Sequence, residues 1–500
     1  MLHCLMNDSN HYPEKNIIMK TRFLASLLFC TLIWTAKAQN NGFGKETDFK
    51  HFKNIENNLI PIYSIKGQPK KMSISDFLKR DNIPGLRIVF IDKGKMAWSA
   101  DYGYADIEKK TKVNLNTVFA GASLAKPVAA VTALNLVEKG KLDLDKNINE
   151  KLVEWKVPEN EFTKTQKVTL RRLLSHTSGL DRQLWSEYLE KDSIPTFEQM
   201  LNGEKPSIDS GLRFFNEPGK TRKYSNTGYL IVGELIADVS GESFADAVDH
   251  LVFNPAGMTN STFRQSLPDQ LRNRVATGYS GNLRPFPYKI YPFGAAGAIW
   301  TTPDDLGKFI ISLMKDYKTD SHIILSKERS KNIFNKGDDK DKLAFSLWTY
   351  KNDIIFRHTG HSLGFTSFIF GSVDKDQAVI VMSNGENTED LFDHIQRAVA
   401  EEYKWDYFRP EFYDAASVDS QSLKQFTGQF DWEGNFLIIT KEDNKLFVLI
   451  NSDRYQLIPI AENQFLIPEK SLKLIFPKRE DKSIEIWKAN GDSSQANKIN

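Results

Sequence analysis

Cysteine is almost missing from these 500 residues: Cys4 and Cys30 are the two present, and both precede residue 39. A chain processed after residue 38 would hold no thiol, which excludes disulfide staples and cysteine-based metal sites. Charge of one sign is missing too. Lys and Arg number 66 against 64 Asp and Glu, so there is no basic field to hold nucleic acid, and no nucleic-acid partner is expected. No H-E-x-x-H motif occurs. The apolar run at 23–34, FLASLLFCTLIW, falls short of the roughly 20 residues that a membrane-spanning helix needs. Met19-Lys20-Thr21-Arg22 stands before it and Ala36-Lys37-Ala38 after it. That is the layout of an export signal cleaved before Gln39. Residues 1–38 are therefore expected to be an upstream extension plus signal peptide, and the mature protein to be exported, periplasmic or secreted, with no stable membrane anchor.

What is present is core-forming material, with 40% hydrophobic and 12% aromatic residues, enough for two or three compact domains. LRIVFI and MAWSADYGYAD around Asp92-Lys93-Gly94-Lys95 predict a hairpin. Helical patterns fill the middle: one within 121–140 that starts near Ser123, an amphipathic stretch over 168–180 ending at Gly179, two helices in 228–253, and one beginning at Pro303 with Thr302 as its cap. Residues 353–359, 365–373 and 378–383 predict strands, and 388–404 a last helix. This order implies an α/β (α+β) domain, an antiparallel sheet flanked by helices with a helical insert, whose two sequence halves meet in space. After 406–420, read as a linker, short strands recur every 8 to 12 residues, so 421–500 is expected to be an all-β small barrel or sandwich. The domains expected are thus 39–405 and 421–500.

Ser-x-x-Lys occurs three times, at Ser123/Lys126, Ser312/Lys315 and Ser372/Lys375. The second lies inside a helix and the third in a turn, where solvated surface is the simplest role. Ser123 alone opens a helix, since Pro127 is tolerated only in a first turn. There a hydroxyl meets the positive end of the helix dipole, with Lys126 on its face. A serine needs a base beside it, and a lysine serves only if desolvation lowers its pKa. VAAVTALNLV supplies apolar surroundings. The bland alternative is a capping serine and a snorkelling lysine.

Three motifs in order, Ser123-Leu-Ala-Lys126, Tyr224-Ser225-Asn226 and His358-Thr359-Gly360, resemble the serine β-lactamase and penicillin-binding-protein superfamily. The branch is that of class C β-lactamases, D-alanyl-D-alanine carboxypeptidases, D-aminopeptidases and esterases. LLSHTSGL, NPAGM and GAAGAIWTTPDDLGKF add to the likeness, which spans roughly 75–400. The resemblance implies a β-lactamase/penicillin-binding transpeptidase-like fold and an acyl-Ser123 intermediate. It implies proton transfer by Lys126 and Tyr224, with the Tyr224 pKa lowered by cationic Lys126. Substrate would be held by Asn226, His358, Thr359, Gly360 and His361, the oxyanion hole formed by the Ser123 and His361 backbone N–H groups, and Gly360 would let substrate approach its strand. No cofactor or metal is implied. The substrate is expected to be a small molecule or peptide: a D-amino-acid or peptidoglycan-like peptide, an ester or a β-lactam.

His358 stands where β-lactamases carry lysine. A neutral imidazole pulls less on a carboxylate, so modest or no β-lactam hydrolysis is expected, and Arg357, on the opposite strand face, is a poor substitute. Gly360-His361-Ser362-Leu363-Gly364 matches a nucleophile elbow, but an elbow needs a helix next and FTSFIF predicts a strand, so an α/β-hydrolase using Ser362 is the lesser reading. His176, His358 and His361 do not converge as metal ligands at their spacing, and His176 is expected to bond near the end of its helix. A silent binder or sensor is the remaining alternative, or a C-terminal domain that binds lipid or glycan. Loops 181–217 and 266–293 would set selectivity.

Overall fold

The structure, a computed structural model, describes residues 42–43 and 46–499 except 70, 182–183, 185, 339–341, 451–452, 478–482 and 489–491. The signal segment expected at 1–38 lies outside them. Eight strands form the central sheet: β1 (Gly42–Phe43), β2 (Gly85–Asp92), β3 (Lys95–Asp106), β4 (Thr111–Lys112), β5 (Ser346–Tyr350), β6 (Asp353–Ser362), β7 (Phe365–Ser372) and β8 (Gln377–Ser383). Their order is β1-β3-β2-β8-β7-β6-β5, with β4 beside β3. The two halves of the sequence meet where β2 pairs antiparallel with β8, Val89 opposite Ile380.

β8 shows why the sheet is covered on both sides. Its side chains alternate across the pleat, and both sets are apolar. Val379 and Val381 enter a core with Phe52 and Ile55 of α1 (Glu46–Glu56) and with Leu391 and Ile395 of the last helix. Ala378, Ile380 and Met382 enter the larger core shared with the helical insert. That insert carries α2 (Ala125–Glu138), α3 (Leu170–Leu174), α4 (Asn226–Ser240) and α5 (Pro303–Lys318), and α6 (Glu389–Glu402) closes the domain. Thr302 caps α5 through its side chain, with Pro303 as the first helical residue.

Three local readings are corrected. The helix at 168–180 is only α3, because His176 turns the chain at φ +60°, a left-handed conformation that a non-glycine residue seldom takes. Ser312 and Ser372 are not solvated surface. They are 5% and 0% exposed, Ser312 donating to the Lys308 carbonyl and Ser372 to Asp353.

Beyond α6 the chain returns to the first domain, where Glu411–Tyr413 pairs parallel with Tyr63–Ile65. It then forms β9 (Gly428–Trp432), β10 (Asn435–Glu442), β11 (Lys445–Ile450), β12 (Asp453–Ala461), β13 (Gln464–Ile467), β14 (Leu472–Ile475), β15 (Ser483–Trp487) and β16 (Ser493–Ile499). β16 pairs back onto β9, so the unit is a closed eight-stranded barrel. Alternate residues such as Leu437 and Ile439, Leu446 and Val448, and Ile484 and Ile486 fill it. Among the described residues no helix is long and apolar enough to cross a membrane.

Candidate active site

Ser123 is set in its place by its neighbours on both sides. Phe119–Ala120 pairs with Trp300–Thr301, and Gly121 N–H donates to the Ile299 carbonyl. Ala122 then takes φ +46°, a strained left-handed conformation for an alanine. Residues 122–124 form a 3₁₀ turn leading into α2, and neither Gly121 nor Leu124 caps through a side chain. The Ser123 hydroxyl is instead engaged by other groups. Lys126 Nζ lies 3.0 Å from Ser123 Oγ and 2.8 Å from Asn226 Oδ1, and it also contacts the Ala296 carbonyl. Tyr224 hydrogen-bonds the Ser123 side chain, with Lys126 Nζ 4.8 Å from the centre of its ring. Three segments distant in sequence, around Ser123, Tyr224 and Ala296, thus converge on the Ser123–Lys126 pair.

Lys126 does not snorkel: it is 0% exposed, and burial holds its amine well below the ordinary lysine range. Tyr224 behaves oppositely to expectation. Although Tyr224 is 38% exposed along the cleft, the protein crowded around its phenol pushes the pKa up to about 12, with its bond to Ser123 and the charge of Arg222 both pulling downward. Burial favours the neutral form of both groups, an amine and a phenol, over an ammonium and a phenolate.

Asn226 is not the helix cap. Ser225 fills that role, its side chain accepting from Gly228 N–H, which frees Asn226 to face Lys126. The turn before it is anchored by His176. Ser225 N–H donates to His176 Nδ1 at 3.1 Å, and the His176 ring lies 4.4 Å from that of Tyr224. His176 therefore bonds near the end of its own helix, its backbone N–H donating to the Leu173 carbonyl, while its ring holds the Tyr-Ser-Asn turn, and burial keeps its imidazole well below the usual range.

The third wall is β6. His358 Nδ1 lies 2.8 Å from the Thr359 carbonyl, so that nitrogen carries the proton and Nε2 is left as an acceptor. Burial, helped by the positive groups at Lys126 and Arg222, lowers its pKa to about 3. His361 Nε2 reaches Glu389 of α6 at 2.8 Å. Gly360 also has a packing role. A Cβ there would collide with the Gly121 carbonyl and with Ser367 Oγ, and come within 3.1 Å of Ser123 N. The glycine therefore admits the serine's own turn. Ser367 on β7 reinforces this contact, donating to the Gly121 carbonyl at 2.9 Å.

Arg357 lines the cleft as well, but its guanidinium lies over Phe368 and 3.4 Å from Asp393 of α6. Ser362 ends β6 opposite Phe365, its hydroxyl 3.4 Å from that of Tyr291. Strand follows it, as FTSFIF implied, and the elbow geometry is absent. No cluster of metal-ligating side chains occurs among the described residues. Ser123, Tyr224, Asn226, His358, Thr359 and His361 all line one open cleft of about 1720 Å³. Sequence reasoning missed Ala122, Ser367 and Ala296 at this site, and the bond from Ser225 N–H to the His176 ring. LLSHTSGL and GAAGAIW were visible only as likenesses without roles.

A helix-borne serine with a buried lysine one turn on, faced by Tyr-x-Asn and a sheet strand, defines a penicillin-recognising serine hydrolase fold. The β-lactamase family model matches residues 73–404, and the chain belongs to that family. It is 25% identical over 370 residues to protein flp of Staphylococcus aureus, covering 71% of this chain and 68% of that protein. It is also 25% identical over 425 residues to penicillin-binding protein 4* of Bacillus subtilis, covering 79% and 90%. The octameric penicillin-binding protein homologue from Pyrococcus abyssi superposes with a TM-score of 0.57 at 19% identity, covering 83% of this chain and 96% of that one.

Proposed function

We propose that the protein is an exported serine acyl-hydrolase that works through an acyl-Ser123 intermediate on a peptide, of D-amino-acid or peptidoglycan type, or on an ester. The observation that carries this is the placing of Lys126 Nζ against both Ser123 Oγ and Asn226 Oδ1. A neutral amine has two hydrogens and one lone pair. Asn226 and the Ala296 carbonyl take the hydrogens, and the lone pair is left for the Ser123 proton. As Oγ bonds to the substrate carbonyl carbon, that proton passes to Lys126. The oxyanion falls between the Ser123 and His361 backbone N–H groups, the second lying one residue past the Gly360 backbone that packs on the serine's turn. Tyr224, protonated at working pH, gives its proton to the departing amine or alcohol as the old bond breaks, and the Lys126 ammonium restores it. Water then hydrolyses the ester. Asn226, His358 and Thr359 would orient the substrate across the cleft. A binder that only kept the fold would have no use for a depressed amine beside the serine.

Because His358 stays neutral, β-lactam turnover is expected to fall below that of a dedicated lactamase at pH 7.5. The deciding experiment is intact-mass spectrometry after a fluorophosphonate and, separately, a penicillin. Ser123→Ala should abolish the added mass and Ser362→Ala should leave it. Labelling retained in the first variant would refute the assignment.

A further inference from the structure

The cleft does not end with the hydrolase domain. Trp432, Lys470, Ser471 and Leu472 of the barrel line the same continuous space as Ser123 and Tyr224. At about 1720 Å³ it exceeds the roughly 300–1,000 Å³ that suits a drug-sized ligand. The barrel wall is also fixed in place. Leu466 packs with Tyr63 and Ile65, and Lys473 Nζ sits 5.3 Å from the Tyr63 ring, 5.6 Å from Tyr413 and 5.4 Å from Trp487.

The charges along this cleft are sorted. Arg80 is held by Asp81 and Asp390, Arg357 by Asp393, and Lys488 by Glu433. Among the described residues, Arg222 and Lys470 are the lining Arg and Lys side chains without a carboxylate partner. Lys470 is exposed, and its neighbour in contact is the Tyr455 ring, 5.3 Å away. Beside it Ser471 takes φ +51°, and its buried hydroxyl has no hydrogen-bond partner among the described residues. An unpaired buried hydroxyl in a strained turn is uncommon in a finished fold and is a feature of ligand sites.

Resting on the acyl-serine reading, we propose that Lys470 and Ser471 form a distal binding site for a carboxylate of an extended peptide acyl donor. The scissile bond of that donor lies at Ser123, and the barrel sets specificity for its far end. Arg222 supplies the matching positive charge near the serine.

The test uses full-length Ser123→Ala protein and calorimetry with two N-acetylated hexapeptides ending in D-Ala-D-Ala, one bearing Glu at its first residue and the other Gln. The Glu peptide should bind roughly threefold to tenfold tighter, and the preference should shrink with added salt. Adding Lys470→Ala should bring the ratio to about one, while adding Lys445→Ala, an exposed lysine elsewhere on the barrel, should leave it. Equal binding of the two peptides, no binding of either, or a preference that survives Lys470→Ala would overturn the proposal. Turnover by the unaltered enzyme is read separately: intact binding without hydrolysis would overturn the acyl-serine reading alone.

Discussion

At the scale of single residues, the site works by keeping basic groups uncharged. Lys126 is buried without a carboxylate, which favours its free amine, whereas Tyr224 near 12 keeps its proton. The base must be deprotonated and the acid protonated, which fixes the signs of the two limbs. kcat/KM should rise through an acid limb well below the ordinary lysine range and fall only on approach to pH 12. An alkaline limb near 8, followed by stopped-flow acylation, would contradict this. Lys126→Met should lower acylation by about 10²- to 10⁴-fold, the usual worth of a general base. Stability follows the same logic. His358 falls from an unfolded value near 6.5 to about 3 on folding, so the unfolded chain binds the extra proton. Stability from this group is whole above about 6.5 and is lost as pH drops toward 3, by about 1.4 kcal/mol per pH unit. His176 acts in the same direction. Denaturant melts of His358→Gln between pH 6.5 and 4 should show a shallower loss than those of the unaltered protein.

At the scale of elements, the serine's turn is held between two strands that reach it from far along the chain. β6 contributes the bare backbone of Gly360, and β7 the Ser367 hydroxyl on the Gly121 carbonyl. Gly360→Ala would drive the turn off the strand. Displacement by an ångström costs on the order of 10²-fold in rate, so acylation should fall by that much while circular dichroism keeps the native sheet signal. A rate within threefold of the original would show that the contact is slack. The same elements show what a sequence can disclose. β7 and β8 were legible because alternation and β-branching are local signals, and α5 because Thr302-Pro303 is a local start. Ser-x-x-Lys and Tyr-x-Asn were legible as chemistry. The shortness of α3 was not, since a histidine at φ +60° carries no local mark. Ser367 was illegible because its bond spans 246 residues. The Tyr224 pKa was misjudged because Lys126 was taken as charged, and burial decides that.

At the scale of the whole molecule, the question is whether the barrel is a passenger on a flexible tether or a part of the enzyme. Domains joined by a short linker move relative to one another unless their interface is apolar and well packed. Here it is both. Tyr63 and Ile65, 3% and 8% exposed, pack with Leu466 at 0%, and Glu411–Tyr413 pairs as a strand with the hydrolase domain. Tyr63 stands at the centre, touching Tyr413 edge-on at 6.3 Å and lying under the Lys473 ammonium. Removing its ring leaves a cavity at the joint and takes away one of three faces around a cation, a loss of about 3 kcal/mol on the scale of large-to-small core changes. The unaltered protein should therefore melt in one calorimetric transition. Tyr63→Ala should melt in two, with trypsin gaining access to Lys404, Arg409 and Lys424 in the stretch that links α6 to β9. One transition and one proteolysis pattern shared by both proteins would mean that the barrel is held by contacts other than these.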